Sequence, residues 1–222
     1  MRILLSLSLL LFASSASAQP APAVDCNAIK NSTVPVELAY HGQDGTRKLV
    51  QAYRDSSGGN VVWIREIPPS TRPNPPVFVS KAIYVDGALA SSEWWTTYVG
   101  KYSHRTAKYA ADGLPRNFDR RSDVTYTMRV LTTDGEHTTE EKTSTTSYRF
   151  RSEGTTAVGS CVLRVIRGES ENTNDAGRTR RTFQLYFPEL QISATATDAE
   201  PIVDGLSTVL SEIKPVCARR AD

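Results

Sequence analysis

Four Asp-Gly dipeptides, at Asp44-Gly45, Asp86-Gly87, Asp112-Gly113 and Asp134-Gly135, punctuate the first two thirds of the chain. Glycine accepts the positive φ of a tight hairpin turn and Asp tolerates it better than most residues, so Asp-Gly between alternating runs marks a chain reversal. Ser57-Gly58-Gly59-Asn60 and Ser152-Glu153-Gly154 add two more such signals. The stretches between them are rich in Val, Ile, Thr, Tyr and Phe, which suit a pleated surface. In DVTYTMRVLT, Val124, Tyr126, Met128 and Val130 alternate with polar residues, and in VPVELAYH Val34, Val36, Leu38 and Tyr40 do the same. This is the period of a strand with one covered face.

Further strands are expected over 47–54, 60–67, 77–85, 93–109, 137–151, 155–167 and 181–197. Pro68, Pro69, Pro73, Pro75 and Pro76 mark an extended linker, since proline cannot serve a central ladder. The tract HTTEEKTSTT is polar on both faces and is expected at a solvated edge or past the sheet's rim. Hairpin after hairpin reads as an all-β antiparallel meander of about nine to ten long strands, curled into a barrel or half-barrel to cover its apolar face. One segment departs from this. Ile202, Leu206, Val209, Leu210 and Ile213 recur at spacings of three and four, with Asp198 as a cap and Pro215 as a stop, which predicts an amphipathic helix over 198–214 packed on the sheet. The outline resembles lipocalin-like barrels and periplasmic lipoprotein carriers, a likeness of architecture alone.

The organisation expected is a leader at 1–18, an N-terminal segment at 19–33, the β domain at 34–197, the helix, and a polar tail at 215–222. Arg2, the apolar Ile3–Phe12 stretch and Ala16-Ser17-Ala18 form the three parts of a secretory signal peptide cleaved after Ala18. The apolar stretch is about half the ~20 residues that span a bilayer. Export to a periplasm or to the outside is therefore expected. The whole chain carries 26 Lys and Arg against 24 Asp and Glu, and losing Arg2 leaves 25 against 24. A net charge so near zero lacks the basic excess of a nucleic-acid binder. Charge on several strands and the CARRAD ending disfavour a lipid-embedded barrel.

Three cysteines, Cys26, Cys161 and Cys217, imply one pair and one left over in an oxidising compartment. Spacing does not fix the pair. Cys26–Cys161 is favoured because Cys161 lies in a strand pattern and Cys217 in the polar tail.

The run EWWTTYVGKYSH holds two of the three tryptophans. Read as one strand, it places Trp94, Tyr98, Tyr102 and His104 on a common face, with Gly100 as a gap. The plain reading is core filling; the functional one is a cavity wall lined by Trp94, Tyr98, Tyr102, His104, Tyr126 and Met128, with Leu206 and Leu210 of the helix closing its mouth. Neither metal-ligand spacing, nor a nucleophile elbow, nor a phosphate loop occurs, so no enzyme, cofactor or metal is expected. The basic clusters Arg116, Arg120, Arg121 and Arg178, Arg180, Arg181 read first as solvated loop charge. Two functions remain. One is a carrier holding a lipid-like or other apolar small molecule inside the curled sheet. The other is an envelope module with a solid core that meets a protein partner, its membrane-spanning and nucleic-acid roles excluded. Interior volume separates the two.

Overall fold

The computed structural model describes residues 25–27, 36–54, 60–69, 77–85, 88–98, 101–112, 123–134 and 137–208. The expected leader and polar tail, Cys217, Leu210 and the Arg116–Arg121 cluster lie outside them. Apart from the helical Cys26 and Asn27, the elements among the described residues are strands: β1 (Val36–His41), β2 (Arg47–Arg54), β3 (Asn60–Ile67), β4 (Val77–Val85), β5 (Ala88–Tyr98), β6 (Lys101–Asp112), β7 (Val124–Asp134), β8 (His137–Val158), β9 (Cys161–Asn174), β10 (Thr179–Phe187), β11 (Ile192–Ala196) and β12 (Ile202–Thr208). Each pairs antiparallel with its sequence neighbour as far as β11, and β12 returns to pair with β1. The all-β meander is thus present, with twelve strands. It does not close into a barrel, because β11 and β12 are left at the two ends of the ladder.

Turn chemistry explains where strands end. β1 and β2 are joined through Asp44-Gly45: Gly45 takes φ 74° and its N–H donates to the Gly42 carbonyl at 3.2 Å. The Asp44 carboxylate accepts from the Thr46 N–H at 3.0 Å and its hydroxyl at 2.9 Å, and these bonds hold it below its ordinary value. The β9–β10 turn repeats this design, with Gly177 at φ 73° donating to Asn174 at 2.9 Å.

The core lies between the two flanks of the ribbon. Directly paired residues share a face, so Leu206, Leu38, Val50 and Ile64 form one apolar row across β12, β1, β2 and β3. Facing it are Cys161, Leu163 and Val165 of β9, Leu185 and Phe187 of β10, and Ile192 and Ala194 of β11. β11 lies against β1 and β2, and β12 against β8, so the flanks form two packed layers. Leu38, Val50, Leu163, Val165, Phe187 and Ile192 are 0% exposed. Burying each such side chain is worth about 1.5–3 kcal/mol. Cys26 and Cys161 are disulfide-bonded, tying the N-terminal segment to the start of β9 across 135 residues.

A bulge divides β8. Phe150 pairs with Gly168 but Ser152 with Arg167, so Arg151 is the extra residue. Past it, Thr156 and Val158 share the core face with Leu163 and Cys161, while Thr146 and Tyr148 before it lie on the opposite face.

The expected C-terminal helix is not formed. Residues 202–208 are strand β12, in which Leu206 pairs with Leu38 and Val203 with Tyr40. An unpaired β1 edge and a half-built core row outweigh an apolar spacing of three and four, and Gly205 weakens a helix further. Val209, Leu210 and Ile213 lie outside the described residues. Three other expectations change. The 93–109 run is a hairpin, since Tyr98 pairs with Lys101. Ser152-Glu153-Gly154 lies within β8, and the reversal comes at Gly159, where φ is 60° and Val158 pairs with Cys161. The 181–197 stretch divides into β10 and β11 around Gln191 at φ 54°.

Candidate functional site

The hairpin at Tyr98–Lys101 rearranges the aromatic run. Trp95 pairs with His104, and Trp94 with Arg105, so Trp94 and His104 occupy opposite faces. Tyr98 and Tyr102 pair in the backbone with Lys101 and Thr97; their side chains lie outside the described set. Trp94 does share a face with Leu206, through the row Leu38, Val50, Ile64 and Ser80. Five strand spacings separate the two, about 24 Å along the sheet. Met128 and Tyr126 lie on that face too, yet the row through Ser92, Ala107 and Thr132 sets them about 20 Å and 26 Å along the strands from Trp94 at ~3.3 Å per residue. Each is half-buried. Burial pushes the Tyr126 phenol up, opposed by its hydrogen bond with Thr146. Asn172 donates to Thr146 at 2.7 Å and to Ser144 at 3.0 Å, completing a polar network there. Among the described members of the expected wall, the register puts His104 on the face opposite Trp94 and sets Met128 and Tyr126 far along the strands from it.

What the fold does gather lies on the other face of β3–β6. Trp63 and Trp95 stack with centroids 5.6 Å apart and planes inclined by 16°, both leaning over β4. Trp95 in turn stacks on its cross-strand partner His104, at 5.0 Å and 4°. Lys81 Nζ lies 5.6 Å from the Trp63 ring, and Trp63 Nε1 donates to the Tyr53 hydroxyl at 3.5 Å. Glu93 stands 3.5 Å from His104 Nε2, a charge contact without hydrogen-bond geometry. Val79, beneath the indoles, is 2% exposed. The stack thus covers β4 on this face.

Around the ladder the register builds three rows. Trp63, Lys81, Glu93 and Thr106 form the first; Arg65, Val79, Trp95 and His104 the second. The third continues through Ile67, Val77 and Thr97, with Ile67 37% and Val77 40% exposed. Four strands and three rows make a patch about 14 Å by 13 Å from ordinary strand spacings. It mixes aromatic and aliphatic side chains with Arg65, Lys81 and Glu93.

Sequence reasoning singled out His104 but not Trp63, Arg65, Ile67, Val77 or Trp95. The signal was the alternation Val61, Trp63, Arg65, Ile67 within NVVWIREI. Among the described residues no group of three or more His, Cys, Asp or Glu side chains could hold a metal ion, and no helix is long and apolar enough to cross a membrane.

No protein-family model, curated protein or solved structure matches the chain.

Proposed function

We propose that the protein is an exported, non-enzymatic interaction module that docks a protein partner on the aromatic face of β3–β6. The observation that carries this reading is the patch itself. Trp63 and Trp95 are half-covered, Ile67 and Val77 are exposed, and Arg65, Lys81 and Glu93 lie among them. Solvent-facing clusters of this kind mark interaction sites, whereas scattered apolar residues do not. The disulfide fits an oxidising compartment, and the two-layer core gives the face a firm support. A carrier reading draws less support, because the residues that would line its cavity are spread along the sheet.

The test is photo-crosslinking in an extract of the source cells, from a probe at position 77 and from a control probe at position 160. A partner captured from 77 alone, and lost in Trp95→Ala protein that keeps its fold, is the expected result. Equal capture from both positions, or none, would overturn the reading.

A further inference from the structure

Arg65 stands out within the patch. It lies in the middle row between Leu49 of β2 and Val79 of β4, two residues past Trp63 on the same face and separated from Trp95 by β4, and its side chain is partly buried. The acids closest to it in sequence and register are engaged elsewhere: Glu66 faces the opposite side and pairs with Lys48 at 3.2 Å, and Glu93 contacts His104. Arg65 has no ion-pair partner among the described residues. The other charges on this side are Arg47, which is ion-paired with Asp204 at 3.6 Å, Lys81 over Trp63, Glu93 against His104, and Glu37, which accepts from Gln51. Among the described residues, Arg65 and Lys81 are thus the cations of this patch without an acidic partner. A guanidinium partly withdrawn from water next to a stacked indole is best satisfied by a planar anion, and carboxylate matches its fork bidentately.

We infer that the partner is an acidic, amphipathic protein segment, with a carboxylate on Arg65 and an apolar side chain seated over Ile67, Val77 and Trp95. This rests on the docking reading above and adds the partner's chemistry. Arg65 is the specificity residue, and the apolar contacts supply the affinity.

The test is selection of a random twelve-residue peptide library on the purified full chain, followed by affinity measurements on Arg65→Gln, Trp95→Ala and, at the far β9–β10 turn, Arg178→Gln. Selected peptides should be enriched in Asp or Glu next to aromatic or aliphatic residues. They should bind Arg65→Gln at least about tenfold more weakly, as expected for loss of one charge-assisted pair, and Arg178→Gln as well as the parent. Arg65→Lys should recover part of the loss, and thermal unfolding should show all variants folded. Peptides lacking acidic residues, or binding Arg65→Gln unchanged yet lost in Trp95→Ala, would overturn the acidic partner and leave the docking face standing. No selected peptide, or peptides indifferent to Trp95→Ala, would overturn both.

Discussion

The ring of Tyr148 lies directly on the backbone of Gly168: a Cβ at position 168 would stand 2.2 Å from the Tyr148 hydroxyl and 2.4 Å from its Cζ. Tyr148 is 4% exposed, three residues before the bulge residue Arg151, and burial pushes its phenol up. Glycine here is a space requirement, not a turn requirement. Gly168→Ala should destabilise by about 1–3 kcal/mol, the usual cost of overpacking, measured as a shift of the urea midpoint. Adding Tyr148→Ala should relieve the clash, so the two changes should be markedly less than additive.

Arg151, the bulge residue, and Arg181 both donate to one oxygen of Glu169, at 2.6 and 2.5 Å, and both stack on Phe183 within 5.3 Å. Burial pushes the Glu169 carboxyl up, but the bonds and charges of Arg181 and Arg151 outweigh it and hold the carboxyl below its ordinary value of 4.5. A depressed folded-state pKa adds stability above the unfolded value, and that stability is lost as pH falls through the folded one. Glu169→Gln should therefore be less stable than the parent at pH 7, by about 1–3 kcal/mol for charged hydrogen bonds. The gap should shrink as pH drops from 4.5 downward. A gap constant from pH 7 to pH 2 in denaturant titrations would remove the carboxylate from this role.

The Cys26–Cys161 bond closes a loop of 135 residues, and Cys161 is 1% exposed. Cross-links of that span restrict the unfolded chain strongly, so Cys26→Ser should cost about 2–5 kcal/mol. The remaining Cys161 thiol sits in the core as a small apolar group without further penalty. Reductant should lower the unfolding midpoint of the parent to that of Cys26→Ser and leave the variant unmoved.

Local chemistry made much of this fold readable. Asp86-Gly87 and Asp134-Gly135 fall between consecutive strands, and the alternation about Tyr126 and Met128 is the observed one. The errors have physical causes. No Asp-Gly marks the reversal between Tyr98 and Lys101, so the aromatic run reads as one strand and puts His104 on the wrong side of Trp94. Gly154 resembles a turn residue but stays in the ladder opposite Val165, the bulge absorbing the local irregularity. Ile202 and Leu206 are placed by the β1 edge, a partner some 160 residues earlier that no local spacing reports. The ladder of Trp63 and Trp95 forms across an intervening strand, so only the register brings the two rings together.

That ladder yields the last expectation. Trp95 stacks on Trp63 at one side and on His104 at the other, while Trp94 next to it lies on the opposite face against Ser80 and Arg105. Trp95→Ala removes two ring contacts and uncovers Val79, so it should cost about 2–3 kcal/mol, below the 3–5 of a fully buried tryptophan because the ring is half in water. Coupling should identify the stack. In a cycle of Trp63→Ala and Trp95→Ala, the interaction energy should be about 0.5–1.5 kcal/mol. The same cycle with Trp63→Ala and Trp94→Ala should be additive, since those rings point to different sides of the sheet. Equal coupling in both cycles would mean that the face assignment, and with it the docking surface, is wrong.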